Sequence, residues 1–254
     1  MGETTFHIER RGEIAILRMA RGAVNALDLA AVEQIHEALA ALAEDETLAA
    51  LVLTGAGSAF CAGLDLRAVP QYGANDQRAL VDGLNRLFGG LYDFPRPTVA
   101  AINGHAIAGG MVLALACDHR VCTQGKAALG LTEVNVGVPF PVAAIEVARN
   151  ELSPAAARAL VLFGRLIDAD QALAWGVVDE LAAPDTVLER ACAEAATLAA
   201  LPLNTFISVK RSLRKTALAR IRAAIEDGDD PTLESWLSAE TVEAAAKMLA
   251  GRAA

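Results

Sequence analysis

From Pro97 to Cys117 the chain carries no Asp, Glu, Lys or Arg, a run about as long as the ~20 apolar residues that cross a bilayer. Asn103-Gly104-His105 and Gly109-Gly110 interrupt it. A buried strand, a turn and a buried helix account for such a run better than a membrane span does, so no membrane association is expected. A strand that is apolar throughout must be covered on both faces, and sheets covered on both faces are parallel sheets flanked by helices. This run therefore selects an α/β architecture.

The rest of the chain agrees. His7 to Arg10 and Ile14 to Met19 alternate as two strands around Gly12. Asp28 caps a helix to about Glu44, with Leu29, Val32, Ile35, Ala38, Leu39 and Leu42 at helical spacing. The apolar strand Ala49 to Thr54, a loop from Gly55 to Asp65, a helix from about Asp76 to Tyr92 and the strand Val99 to Ile102 follow. Gly109 to Ala116 suits a buried helix and His119 to Cys122 a strand. Beyond Pro139 the pattern is helical, apart from a late strand at Val177 to Leu181, and Ser153-Pro154 marks a helix start. A boundary is placed near residue 200, giving a core over 1–200 and a helical region over 201–254. That region has too few apolar positions for a core of its own and is expected to pack on the main body or a neighbouring subunit.

With 254 residues, 54% of them hydrophobic, the chain can bury a substantial core. Its formal charge of −9 argues against nucleic acid, whose phosphates demand a surplus of Lys and Arg. The four cysteines lie too far apart for C-x-x-C pairs and read as reduced and buried. Phe6 to Arg11 lacks the apolar stretch of a secretory signal, so a cytoplasmic protein is expected. No metal site is expected, because the His and Cys residues make no ligand spacing.

Two glycine loops follow apolar strands, where α/β sheets place ligands. In Thr54-Gly55-Ala56-Gly57-Ser58-Ala59-Phe60-Cys61-Ala62-Gly63-Leu64-Asp65-Leu66 a dinucleotide fingerprint fails, because Phe60 stands where the third glycine belongs. A phosphate loop fails for want of Gly-Lys-Ser/Thr. The second loop, Asn103-Gly104-His105-Ala106-Ile107-Ala108-Gly109-Gly110, opens a helix whose first N–H groups are free donors. Two such loops can aim backbone donors at one oxygen and form an oxyanion hole. By spacing alone, a pair of tight turns without a ligand accounts for them equally well.

Taken jointly, Asn25-Ala26-Leu27, Gly55-x-Gly57-x-x-Phe60-x-Ala62-Gly63-x-Asp65-Leu66, Ala101-Ile102-Asn103-Gly104-His105-Ala106-x-x-Gly109-Gly110 and Cys117-Asp118 resemble the crotonase superfamily of enoyl-CoA hydratases and isomerases. The resemblance runs from about Ile14 to Val178. It implies a ClpP/crotonase-like ββα-repeat core with a C-terminal helical region. It implies that the N–H groups of Leu64 and Gly109 hold the thioester oxygen of an acyl-CoA, and that the segments Asn25 to Leu27 and Ala62 to Leu66 border the CoA. Gly110, Val112 and Pro141 fall on the substrate side in the same way. Coenzyme A enters as part of the substrate, and no separate cofactor is implied. A homotrimer or dimer of trimers is implied, with the C-terminal helices in the contact.

Family members draw a base from one or two glutamates. The position three residues after Gly109 is Val112 here, so the first is missing; the later one matches Glu133. Alone, Glu133 reads as a solvated loop carboxylate, although its neighbours Leu131, Val134 and Val136 favour burial and a raised pKa. Hydratases follow it with Gly-x-x-Pro-Gly. This chain has Gly137-Val138-Pro139-Phe140-Pro141, and Pro141 has no N–H to hold a water. The pairing of Glu133 with Val112 therefore points to Δ3 to Δ2 double-bond isomerisation, with 2-enoyl-CoA hydration, other crotonase chemistry and a non-catalytic acyl-CoA binder as alternatives. His105 reads as structural, His119 as a strand-end partner of Asp118, and Asp65 as a loop-fixing residue. Lys210, Arg211, Arg214, Lys215, Arg220 and Arg222 read as a solvated face that can alternatively reach CoA phosphates.

Overall fold

The computed structural model describes residues 5–228 and 230–236. β1 (Phe6–Arg11) and β2 (Ile14–Met19) form the expected hairpin, turning through Gly12 at φ +61°. α1 (Leu29–Ala43) begins where the Asp28 carboxylate accepts from the Ala31 N–H at 2.8 Å, and it buries Val32, Ile35, Leu39 and Leu42. The ββα unit then repeats. β3 (Ala50–Gly55) and β4 (Ala59–Cys61) lead to α2 (Ala74–Tyr92). β5 (Thr98–Ile102) and β6 (His105–Ile107) lead to α3 (Gly109–Ala116). β7 (His119–Thr123) and β8 (Leu129–Gly130) lead to α4 (Val142–Glu151). After α4 come α5 (Pro154–Ala157), α6 (Ala169–Ala174), β9 (Glu180–Ala182), α7 (Val187–Ala199), α8 (Leu203–Leu213), α9 (Lys215–Asp227) and α10 (Leu233–Trp236).

The main sheet has the order β1-β2-β3-β5-β7-β9 and is parallel except between β1 and β2. Every residue of β3 and β5 is buried, as continuous apolar strands require. Successive side chains point to opposite faces. Leu51, Leu53, Ala100 and Ile102 therefore enter the main core with α1, α2 and α3, while Ala50, Val52, Val99 and Ala101 meet Val187, Ala191 and Ala195 of α7. Burial of each large aliphatic side chain contributes about 1.5–3 kcal/mol. The charge-free run is β5, a turn, β6 and α3, and no single helix among the described residues is long and apolar enough to cross a membrane.

Three expectations are corrected. Both glycine loops contain short strands, β4 and β6, which pair with each other and, through β6, with β8 in a second parallel sheet; elements of two or three residues carry no readable periodicity. The late strand is Glu180–Ala182, because Val177 and Val178 owe their apolar character to full burial in the turn after α6. The basic cluster is a solvated face at Arg211, Lys215, Arg220 and Arg222 but not at Lys210 and Arg214. Lys210 and Arg214 are buried on Asp118, Arg220 pairs with Glu146, and Arg211 and Arg222 pair with Asp93. These pairs and the buried Ala217, Leu218 and Ile221 fasten α8 and α9 to the core, α9 packing against α2 and α4. Of the helical region placed over 201–254, residues 229 and 237–254 lie outside the described residues.

Candidate active site

The ends of the two glycine loops touch. Gly63 has φ +79°, and a Cβ on it would lie 2.7 Å from Ala108 Cβ, 2.9 Å from Ile107 O and 3.1 Å from Gly109 N. Only glycine fits there. Leu27 N–H donates to Gly63 O at 2.7 Å and Asp65 N–H donates to Leu27 O at 2.7 Å, which leaves the intervening Leu64 N–H outside the pairing. Gly109 opens α3, where an N–H has no carbonyl four residues back; the N–H groups of Met111 and Val112 both go to Ala108 O. Two backbone donors thus stand side by side at adjacent loop ends, and both residues line one cavity. Ala108 holds φ +54° and ψ −126°, a backbone conformation that costs a non-glycine residue about 1–3 kcal/mol. Its N–H is fixed by Gly130 O at 2.8 Å.

The cavity encloses about 790 Å³. Of the residues singled out in the sequence, Ala26, Ala62, Leu64, Asp65, Leu66, Gly109, Glu133 and Pro141 line it. Asn25, Leu27, Gly110 and Val112 are not among the residues that line it. Buried Asn25, at φ +53°, donates from Nδ2 to Ala56 O and Ala59 O and accepts at Oδ1 from Arg21 N–H, so it braces the first loop. Leu27 backs Gly109 from the core. A Cβ on Gly110 would lie 2.1 Å from Cys61 O, so this glycine lets α3 abut β4. Val112 is fully buried in the core.

Glu133 sits on a single 3₁₀ turn, Glu133–Val136, closed by Gly137 at φ +66°. Val138 N–H donates to Glu133 O at 3.1 Å, and Asn135 Nδ2 donates to Gly164 O at 2.8 Å, which anchors the turn. The residue is only 8% exposed, and its Oε2 has no hydrogen-bond partner. Desolvation pushes the carboxyl up to about 8, against a small opposing effect of its own backbone N–H. The solvated-carboxylate alternative does not hold. The other acid among the described wall residues, Asp65, is committed: its Oδ2 accepts from Arg21 Nη1 at 2.9 Å and its Oδ1 from Arg67 N–H at 3.0 Å. Arg21 also donates to Ala26 O at 3.0 Å and to Asp28 Oδ2 at 2.6 Å, so one guanidinium ties the first loop to the start of α1.

Sequence reasoning missed Arg21, Leu84, Phe88, Val138, Ala144 and Trp236, which also line the cavity. Leu84 and Phe88 lie four residues apart on the apolar stripe of α2 and are indistinguishable there from ordinary core positions. Outside the cavity, His105 Nδ1 accepts from Ala128 N–H at 3.1 Å, a structural bond. Asp118 pairs with Lys210 and Arg214 rather than with His119, which lies 3.9 Å from Asp179. Burial pushes the Cys61 thiol up to about 12, far from thiolate reactivity. His119, Glu180 and Glu194 bring ligand atoms within 4.8 Å of one another, but the Arg190 guanidinium already bridges the two glutamates.

The sequence matches the Enoyl-CoA hydratase/isomerase family over residues 9–251. It is 40% identical over 195 residues to a Thermus thermophilus protein provisionally named an enoyl-CoA hydratase, covering 76% of this chain and 75% of that one. Among solved structures it is similar, at 32% identity over 88% of this chain, to a Mycobacterium tuberculosis protein described as an enoyl-CoA isomerase in one structure (TM-score 0.81, 97% of that chain) and as a probable enoyl-CoA hydratase in another (TM-score 0.80, 94% of that chain). The human mitochondrial Δ3-Δ2-enoyl-CoA isomerase shares the fold, with a TM-score of 0.90 at 24% identity over 97% of each chain.

Proposed function

The chain belongs to the enoyl-CoA hydratase/isomerase family, and from that premise we propose that this acyl-CoA enzyme moves the double bond of a 3-enoyl-CoA to C2, with Glu133 as its single base. The supporting observation is that, among the described residues, Asp65 and Glu133 are the carboxylates of the cavity wall, that Asp65 is held by Arg21, and that Glu133 Oε2 has no hydrogen-bond partner.

In this reading the thioester oxygen accepts hydrogen bonds from the N–H groups of Leu64 and Gly109. These donors are preorganised where negative charge develops, and that placement lowers the barrier to enolate formation. Glu133 removes a proton from C2; the electron pair moves into a dienolate, the double bond shifts to C2=C3, and the same carboxyl returns the proton at C4. The raised pKa suits this work, because one group must first accept and then donate. Hydration asks for a second carboxylate and a water-holding donor. Val112 stands where the family's other glutamate would be, and Pro141 lines the wall without an N–H.

The wall from Ala26 and Ala62 to Leu66, with Arg21 and Arg67 beside it, is assigned to the CoA moiety. Assembly as a homotrimer or dimer of trimers through residues 201–254, in the cytoplasm, completes the reading. Glu133→Gln tests the base: acyl-CoA binding should persist and turnover should vanish. With substrate deuterated at C2, some label should appear at C4 of the product; complete washout to solvent would contradict a single shuttling carboxyl. A wild type that binds acyl-CoA and turns over neither enoyl isomer would identify a binder instead.

A further inference from the structure

The two sides of the cavity differ in chemistry. Arg21 and Arg67 adjoin the first glycine loop, where Asp65 accepts from both, while Leu84 and Phe88 of α2, Val138, Ala144 of α4 and Trp236 supply apolar wall from the elements that Asn85 and Asp230 tie together. A polyanionic CoA belongs with the cations, so the acyl chain runs towards the apolar side. We propose that Trp236 ends that side and restricts the enzyme to short acyl chains, an inference that rests on the acyl-CoA reading above.

Trp236 is built in as a fixed wall. It is 2% exposed, and its indole N–H donates to Pro139 O at 3.0 Å, which holds the ring against the segment that carries Pro141. The start of the same short segment is pinned by Asp230, which is also 2% exposed. Its Oδ2 accepts from Asn85 Nδ2 at 2.8 Å and from Val142 N–H at 2.9 Å, and its Oδ1 accepts from Thr232 N–H at 2.8 Å. Asn85 Oδ1 in turn accepts from Ala143 N–H at 2.8 Å. Asp230 and Asn85 thereby cap the first N–H groups of α4, a favourable place for a carboxylate. The helix that supplies Ala144 to the cavity is the one to which the Trp236 segment is tied. The indole therefore cannot swing aside without breaking a partly buried hydrogen bond, and a longer chain meets it instead of solvent.

The test is calorimetric titration of the full-length protein with saturated hexanoyl-CoA and dodecanoyl-CoA, which reports chain accommodation independently of the reaction catalysed. Each further methylene that finds an apolar site tightens binding about fourfold. Wild type should bind dodecanoyl-CoA no more tightly than hexanoyl-CoA. Trp236→Ala should raise the dodecanoyl preference by about tenfold or more. Trp236→Leu, which keeps apolar packing should the alanine variant not fold, should shift it in the same direction. Either folded variant with the wild-type preference, or a wild type that gains affinity with each added methylene, overturns the proposal while leaving the acyl-CoA reading intact. A wild type that binds neither thioester overturns both.

Discussion

Lys210 Nζ donates to Asp118 Oδ2 at 2.8 Å in a pair that is almost wholly buried. Asp118 Oδ1 also meets Arg214 at 2.9 Å, while its Oδ2 accepts from Thr98 N–H at 2.9 Å. One carboxylate at the start of β7 thus fastens α8 and the start of α9 to the core. Removing it leaves the buried Lys210 without a carboxylate and Arg214 with Glu151 at 3.5 Å, so Asp118→Ala is expected to cost about 3–5 kcal/mol of stability in urea unfolding. Lys210→Met should cost less, because Arg214 still answers Asp118.

Gly63→Ala should damage activity more than it damages the fold. The added Cβ meets Ala108 and the Gly109 N–H within 3.1 Å, so the two backbone donors must separate. Loss of one well-placed oxyanion donor costs about 10²–10³ in kcat. Steady-state kinetics should show that loss in kcat, with circular dichroism retaining the native helix content.

Glu133 should weaken the protein as pH rises. The carboxyl titrates near its ordinary 4.5 when unfolded and at about 8 when folded, so between those values the folded state binds more protons and stability falls with pH. Glu133→Gln has no such titration. It should differ least from wild type at pH 4 and become the more stable form by on the order of 4 kcal/mol at pH 9, read from thermal or urea unfolding at both values.

The same group, as the proposed base, should set the rate. A base must begin unprotonated, so kcat/KM, which reports the free enzyme, should rise with pH through about 8. A profile flat from pH 6 to pH 9 would exclude Glu133 as the group that starts the reaction.

How much of this was legible in the sequence follows physical lines. The long elements were readable because burial imposes a period: α1 and α2 begin within about two residues of the expected positions, and β3 and β5 read as unbroken apolar runs. Leu64, Gly109 and Glu133, the proposed donors and base, were named through the family resemblance, and all three line the cavity. The strands β4, β6 and β8 are too short to show alternation. The strained backbone at Ala108 left no mark in the sequence, since alanine advertises nothing about φ. Nor could spacing show that Arg214 and Lys210 face inward, because the acid that draws them, Asp118, is 92 positions from Lys210 in the chain.

The most direct test of the central claim is a spectrophotometric comparison of purified protein acting on 3-hexenoyl-CoA and on 2-hexenoyl-CoA, with Glu133→Gln as the control. The account expects the 3-enoyl thioester to be converted to its 2-enoyl isomer, the 2-enoyl thioester to be hydrated slowly or not at all, and the Gln variant to be inactive on both. Rapid hydration of 2-hexenoyl-CoA with 3-hexenoyl-CoA left unchanged would contradict it.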